Sequence, residues 1–125
     1  RLIDLSGAGP NNHGMPLLPA RGRAAERGVG INGLVILNYD PGPLGFPVLE
    51  DLDIYFEECV ITGQAAFVLA ADGFADFGRA IRRKLVLEIA GLAPRRPWVQ
   101  RVQGYDCMIG EKQLREWLRR YPFDP

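Results

Sequence analysis

The sequence predicts an α/β fold: a parallel sheet with helices on both faces, built on three strands and followed by a C-terminal helical tail. Three observations carry this expectation. Short apolar runs recur at residues 1–6, 30–38 and 65–70, bounded by turn-forming residues. Stretches with apolar residues at helical spacing alternate with them. Two of the runs, "GINGLVILN" and "AAFVLA", are almost continuously apolar, the pattern of strands covered on both faces. Strand and helix in alternation then imply right-handed crossovers and one parallel sheet.

The elements follow in order. "RLIDLS" reads as a strand, and residues 7–16, rich in Gly, Pro and Asn, as a long turn. The Ala- and Arg-rich stretch Pro19 to Arg27 reads as a short helix stopped by Gly28. After the second strand, "DPGPLGFP" at 40–47 is too rich in proline for regular structure and reads as a surface loop. Leu49, Leu52, Tyr55, Phe56 and Cys59 then fall on one helical face. Beyond the third strand, Asp72 is placed to cap a helix whose Phe74, Phe77, Ile81, Leu85 and Ile89 form an apolar stripe, with its basic residues on the other side. Residues 1–91 thus hold the α/β body. Residues 92–125 read as an extended connector and a tail helix from Glu111 to about Arg120, halted before Pro122.

Composition narrows the function classes. A chain of 125 residues is one domain in size and buries about two thirds of its unfolded surface. No apolar stretch approaches the ~20 residues of a spanning helix, so no membrane span is expected. Fifteen basic residues balance fifteen acidic ones, which gives no electrostatic reason to expect a nucleic-acid partner. The basic clusters, Arg79, Arg82, Arg83 and Lys84, then Arg95, Arg96 and Arg101, read as solvated faces and linker charge. Cys59 and Cys107 are either two buried thiols or one bridge, and a bridge requires an oxidising compartment. Closing the loop between them would stabilise the fold by roughly 4 kcal/mol in the chain-entropy picture. With a single distant histidine they complete no zinc site.

Taken together, "RLIDLSGAGPNNHG", "GVGINGLVILN", "YFEECVITGQAAFVLAADGFADFGRAIRRKLVLEIA" and the later "CMIGE" resemble a bacterial family of unknown function, usually exported, with a fold similar to the von Willebrand factor type A domain. The resemblance covers residues 1–91 strongly and the Cys107 region more weakly. It implies that the three strands are the last three of six, with Arg1 at the start of the fourth. In such a sheet the first strand lies beside the fourth. The strand Leu2, Ile3, Asp4 and Leu5 is therefore expected to expose an unpaired apolar edge, which another chain or a separated N-terminal half would cover. The resemblance also implies a periplasmic or secreted location.

Type A domains often hold a divalent cation on oxygen ligands from several loops, one of them an Asp in the turn after the fourth strand. Here that turn reads Ser6, Gly7, Ala8, Gly9, and Ala8 offers no oxygen. The expectation is no metal site and no cofactor. Asp4 is expected to end its strand and bond to nearby backbone. Asn11 and Asn12 suit the turn itself; with Ser6 they form a candidate recognition loop at the strand ends, where open parallel sheets bind ligands. "GAGPNNHG" opens no helix directly and lacks the Lys-Ser or Lys-Thr ending of a phosphate loop. His13 has no catalytic partner at a recognisable spacing and reads as a loop residue. Trp98, Trp117 and Tyr121 read as anchors of a tail folded onto the body, with Cys107 tied to Cys59, or alternatively as a partner-binding surface, since exposed aromatics commonly centre interfaces.

The function expected is a non-enzymatic protein-interaction module of an exported protein. The competing expectation is an accessory subunit whose sheet another polypeptide completes. An enzyme finds little support, because no catalytic constellation stands in the sequence.

Overall fold

A computed structural model of the chain describes residues 1–12, 14–38, 43, 48–94 and 104–120. Its centre is a three-stranded parallel sheet in the order β1-β2-β3, with β1 Leu2–Gly7, β2 Gly30–Ile36 and β3 Val68–Ala71. β1 pairs β2 from Leu2↔Gly30 to Gly7↔Val35, and β2 pairs β3 from Gly33↔Val68 to Ile36↔Ala71. The α/β expectation and its three strands are therefore observed. β2 is the middle strand and is buried from Asn32 to Ile36, which accounts for its unbroken apolar run.

Helices cover both faces. α1 (Leu17–Glu26) ends before Gly28, which takes the positive φ of +68° that a side chain would resist. The helix starts two residues ahead of Pro19, because Pro19 fits the first turn, where its missing N–H costs nothing. α2 (Leu52–Tyr55) runs on into a π-helical turn, Phe56–Val60. The wider turn keeps Leu52, Tyr55, Phe56, Cys59 and Val60 all buried on one side, packed with Val35 and Val68.

Phe56 explains a glycine. A Cβ at Gly33 would lie 2.5 Å from the Phe56 ring, so the bare backbone of β2 is what lets the ring lie flat on the sheet.

α3 (Phe77–Ala90) covers the opposite face, after a 3-10 turn over Phe74–Asp76, and ends at Gly91 in the left-handed conformation. Two expectations for this helix need correction. Asp72 does not cap it. The intervening turn moves the start to Asp76, whose carboxylate accepts hydrogen bonds from the Asp72 amide (3.0 Å) and the Arg79 guanidinium (2.6 and 2.8 Å). The buried face coincides only in part with the expected apolar stripe, through Phe77 and Ile81. Ala80 and Lys84 are buried, flanked by Phe77, Ile81 and Leu87, while Phe74, Leu85 and Ile89 are exposed.

α4 (Ile109–Arg120) is the tail helix, beginning two residues before Glu111. Most of the 40–47 loop, Arg95, Arg96, Arg101, His13, Trp98 and Tyr121 lie outside the described residues. Among the described residues, no helix is long and apolar enough to cross a membrane.

Candidate functional site

Two regions bring the sequence-selected residues together: the outer edge of β1 and the turn that follows it. On the edge, Leu2, Ile3 and Leu5 are 49%, 46% and 40% exposed. Among the described residues β2 is the one strand beside β1. The Gly30 amide donates to the Arg1 carbonyl at 3.0 Å. Strand parity then turns the backbone N–H and C=O groups of Leu2, Asp4 and Ser6 away from the sheet.

Parity also divides the side chains. Asp4 is opposite Asn32 and Ser6 opposite Leu34, so Leu2, Asp4 and Ser6 share the α3 face, while Ile3 and Leu5 share the α2 face. Asp4 lies in mid-strand rather than at its end. Its carboxylate accepts a hydrogen bond from the Lys84 ammonium, which corrects the expected bond to nearby backbone. Lys84, read as a solvated cation, is fully buried and also donates to Glu88 at 2.7 Å. A buried ammonium needs such partners, since desolvation alone would cost several kcal/mol. The Asp4 carboxyl is held below its ordinary range by a hydrogen bond shared with Glu88 and then by Lys84, against the opposing effect of burial. Burial pushes the Glu88 carboxyl up, helped by the bond to Asp4. The long alkyl chain of Lys84 let it sit at a core position, and only its i, i+4 partner Glu88 marked it in the sequence.

At the other end of β1, Ser6, Asn11 and Asn12 line a cleft of about 260 Å³ with Tyr55 and Phe56 at its base. Asn11 is committed to internal bonds. Its amide N–H donates to the Tyr55 hydroxyl (3.1 Å), and its side chain donates to Met15 O (3.1 Å) and Glu111 Oε1 (2.9 Å). The same Glu111 oxygen accepts the first amide of α1, Leu17 N, at 3.1 Å. α4 thus caps α1 from a distance, a service α1 needs because Pro16 brings no capping side chain.

The tail is fixed at three more points. Cys59 and Cys107 form a disulfide with Cα atoms 5.4 Å apart. Tyr105 donates to Asp51 at 3.1 Å and meets Tyr55 edge to face. Gly110 lies against the Asn11 backbone so closely that a Cβ there would fall 2.1 Å from the Asn11 carbonyl oxygen. Burial and Asp51 raise the Tyr105 hydroxyl well above the usual tyrosine range, and burial raises Tyr55. Among the described residues there is no cluster of three His, Cys, Asp or Glu side chains able to hold a metal ion.

Among the described residues, an open parallel sheet with helices on both faces and a disulfide-held tail make this an α/β protein, with β1 at one edge of the described sheet. Residues 1–93 match the family described as "protein of unknown function (DUF1194)", and the chain belongs to that family. The match spans the whole sheet together with α1, α2 and α3. Comparison with curated proteins and with solved structures finds no match.

Proposed function

We propose that this chain is a non-enzymatic protein-interaction module that receives a strand of another polypeptide along β1. The observation that carries the reading is the β1 edge. Three large apolar side chains there are 40–49% exposed, on a strand whose alternate backbone groups point outward. Isolated apolar side chains at a surface are ordinary, but a long apolar strand edge is a template for pairing.

A von Willebrand factor type A-like sheet supplies a reason for such an edge. β1-β2-β3, with β1 outermost, suits the last three strands of that sheet, whose first strand would lie against β1. This favours the second reading, an accessory subunit whose sheet is completed by another chain or by a separated N-terminal half. The disulfide supports an exported protein, periplasmic or secreted, because such bonds persist in oxidising compartments. The recognition loop reading narrows to Ser6 and Asn12, since Asn11 is spent on Tyr55, Met15 and Glu111.

The edge reading is tested by titrating the chain with a capped peptide of alternating Val and Thr, followed by calorimetry. Saturable binding is expected, and Leu2→Pro with Ser6→Pro is expected to abolish it. Those two residues present their N–H groups outward, so proline removes donors that the fold itself does not use. Binding that survives both prolines, or no binding at all, would refute the reading.

A further inference from the structure

The buried core is built without the tail. Its two clusters draw on the sheet, the α2 region and α3, and the tail meets them from outside through the half-buried Tyr105, Cys107 and Ile109. Of the 12 residues of α4, Gly110 alone is buried. A helix of that length is marginal in water by itself, so α4 depends on its attachment. Its own polar contacts are imperfect: among the described residues, Glu111 Oε2 and Gln113 Oε1 are buried with no hydrogen-bond partner. That desolvation cost weakens the hold of α4. The bridge from Cys107 to the fully buried Cys59 makes up for it, tying the tail to the core across 48 positions of sequence.

The attachment governs the opening turn. Glu111 Oε1 accepts the Asn11 carboxamide at 2.9 Å and the Leu17 amide at 3.1 Å. Without α4, the Asn11 side chain would lose its long-range partner, and α1 would start uncapped behind Pro16. The strand pairings would be untouched, because all of them lie within residues 2–71.

We propose that the Cys59–Cys107 bridge is a redox latch on the opening turn. Closed, it clamps α4 over the turn and occupies Asn11; opened by a dithiol reductant, it lets α4 go and returns Asn11 to the recognition loop beside Ser6 and Asn12. The latch is independent of strand docking at β1. In the opening step a thiolate of the reductant attacks Sγ of Cys107, the less buried of the two cysteines, and the Cys59 sulfur departs and takes up a proton. The second thiol of the reductant then attacks the reductant sulfur of the mixed disulfide. Cys107 leaves as a thiol, and the reductant, having given up two electrons, closes its own disulfide.

The test treats the full chain with dithiothreitol in the absence of denaturant and follows trypsin cleavage after Lys112 and Arg115 together with amide exchange by NMR. Reduction should speed cleavage at both sites, and exchange of the Leu17 amide, by about tenfold or more, while the β2 amides stay as protected as before. Cys107→Ser should reproduce this without reductant. A reduced chain whose α4 resists trypsin as well as the oxidised chain does would overturn the latch, for the tail would then hold without its bridge. So would a bridge that opens only once denaturant unfolds the sheet, or a Cys107→Ser chain that circular dichroism shows unfolded, since either result would make the bridge a support of the whole fold.

Discussion

Lys84 is the residue on which the α3 face of the sheet turns. It is fully buried between Asp4 and Glu88, and removing it would leave two carboxyl groups facing each other in a partly dry site. Lys84→Ala is expected to destabilise the fold by roughly 2–4 kcal/mol, below the full range for a buried pair because Asp4 is 41% exposed. Urea denaturation checks this; a loss under about 1 kcal/mol would mean the cluster is solvated in solution. Acid sensitivity belongs to this scale too. Arg79, then the Asp72 amide, lowers Asp76 from 3.8 to about 2. A carboxyl depressed on folding contributes stability above its unfolded value and loses it as pH falls through the folded one. The melting temperature should therefore drop as pH falls from 3.8 toward about 2, with a shallower drop in Asp76→Asn. An unchanged slope would show that this pair is unformed. Lys84 was hard to read from sequence because a lysine among arginines, on a helix with leucines and isoleucines to spare, looks like its polar face.

At the scale of elements, the tail is held by separate devices that act together. The disulfide should contribute roughly 4 kcal/mol if its effect is mainly on the unfolded chain. Reduction, or Cys59→Ala with Cys107→Ala, is expected to lower stability by up to about that amount; gel mobility with and without reductant confirms the bond. Gly110→Ala should cost about 1–3 kcal/mol, because the added methyl meets the Asn11 carbonyl, which as backbone cannot swing aside. Stability equal to that of the unaltered chain would contradict the docking of α4 on the opening turn. Tyr55 and Tyr105 add a spectroscopic check. Both hydroxyls titrate above the ordinary value of 10, so absorbance near that pH should report fewer ionised tyrosines in the native chain than in the unfolded one. Raised values mean that this stabilisation is complete below pH 10 and is lost as pH climbs through the folded values.

These elements were largely legible. Apolar runs gave the strands, Gly28 marked the end of the first helix, and the cysteines suggested a bridge. The long-range bonds of Asn11 and Glu111 were not legible, for they join residues 100 positions apart and leave no local pattern. The π-helical turn also escaped, since a wider turn over five residues keeps the same apolar letters.

The molecule as a whole is asymmetric about its sheet. β2 is sealed on both faces, and the two cores lie beside it, but β1 carries an apolar sequence into an exposed position. Among the described residues, β2 is the one strand beside β1, and the apolar side chains of β1 stay partly exposed. A further strand beside β1 would cover that edge, as proposed above.

Amide exchange along residues 2–7, followed by NMR before and after adding the capped Val-Thr strand peptide, tests that claim most directly. In the chain alone, Leu2, Asp4 and Ser6 should exchange rapidly while Ile3 and Leu5, bonded to β2, are protected; the peptide should slow the first three by about tenfold or more. Exchange at Leu2, Asp4 and Ser6 that is already slow in the chain alone, or that the peptide leaves unchanged, would contradict an edge built to receive another strand.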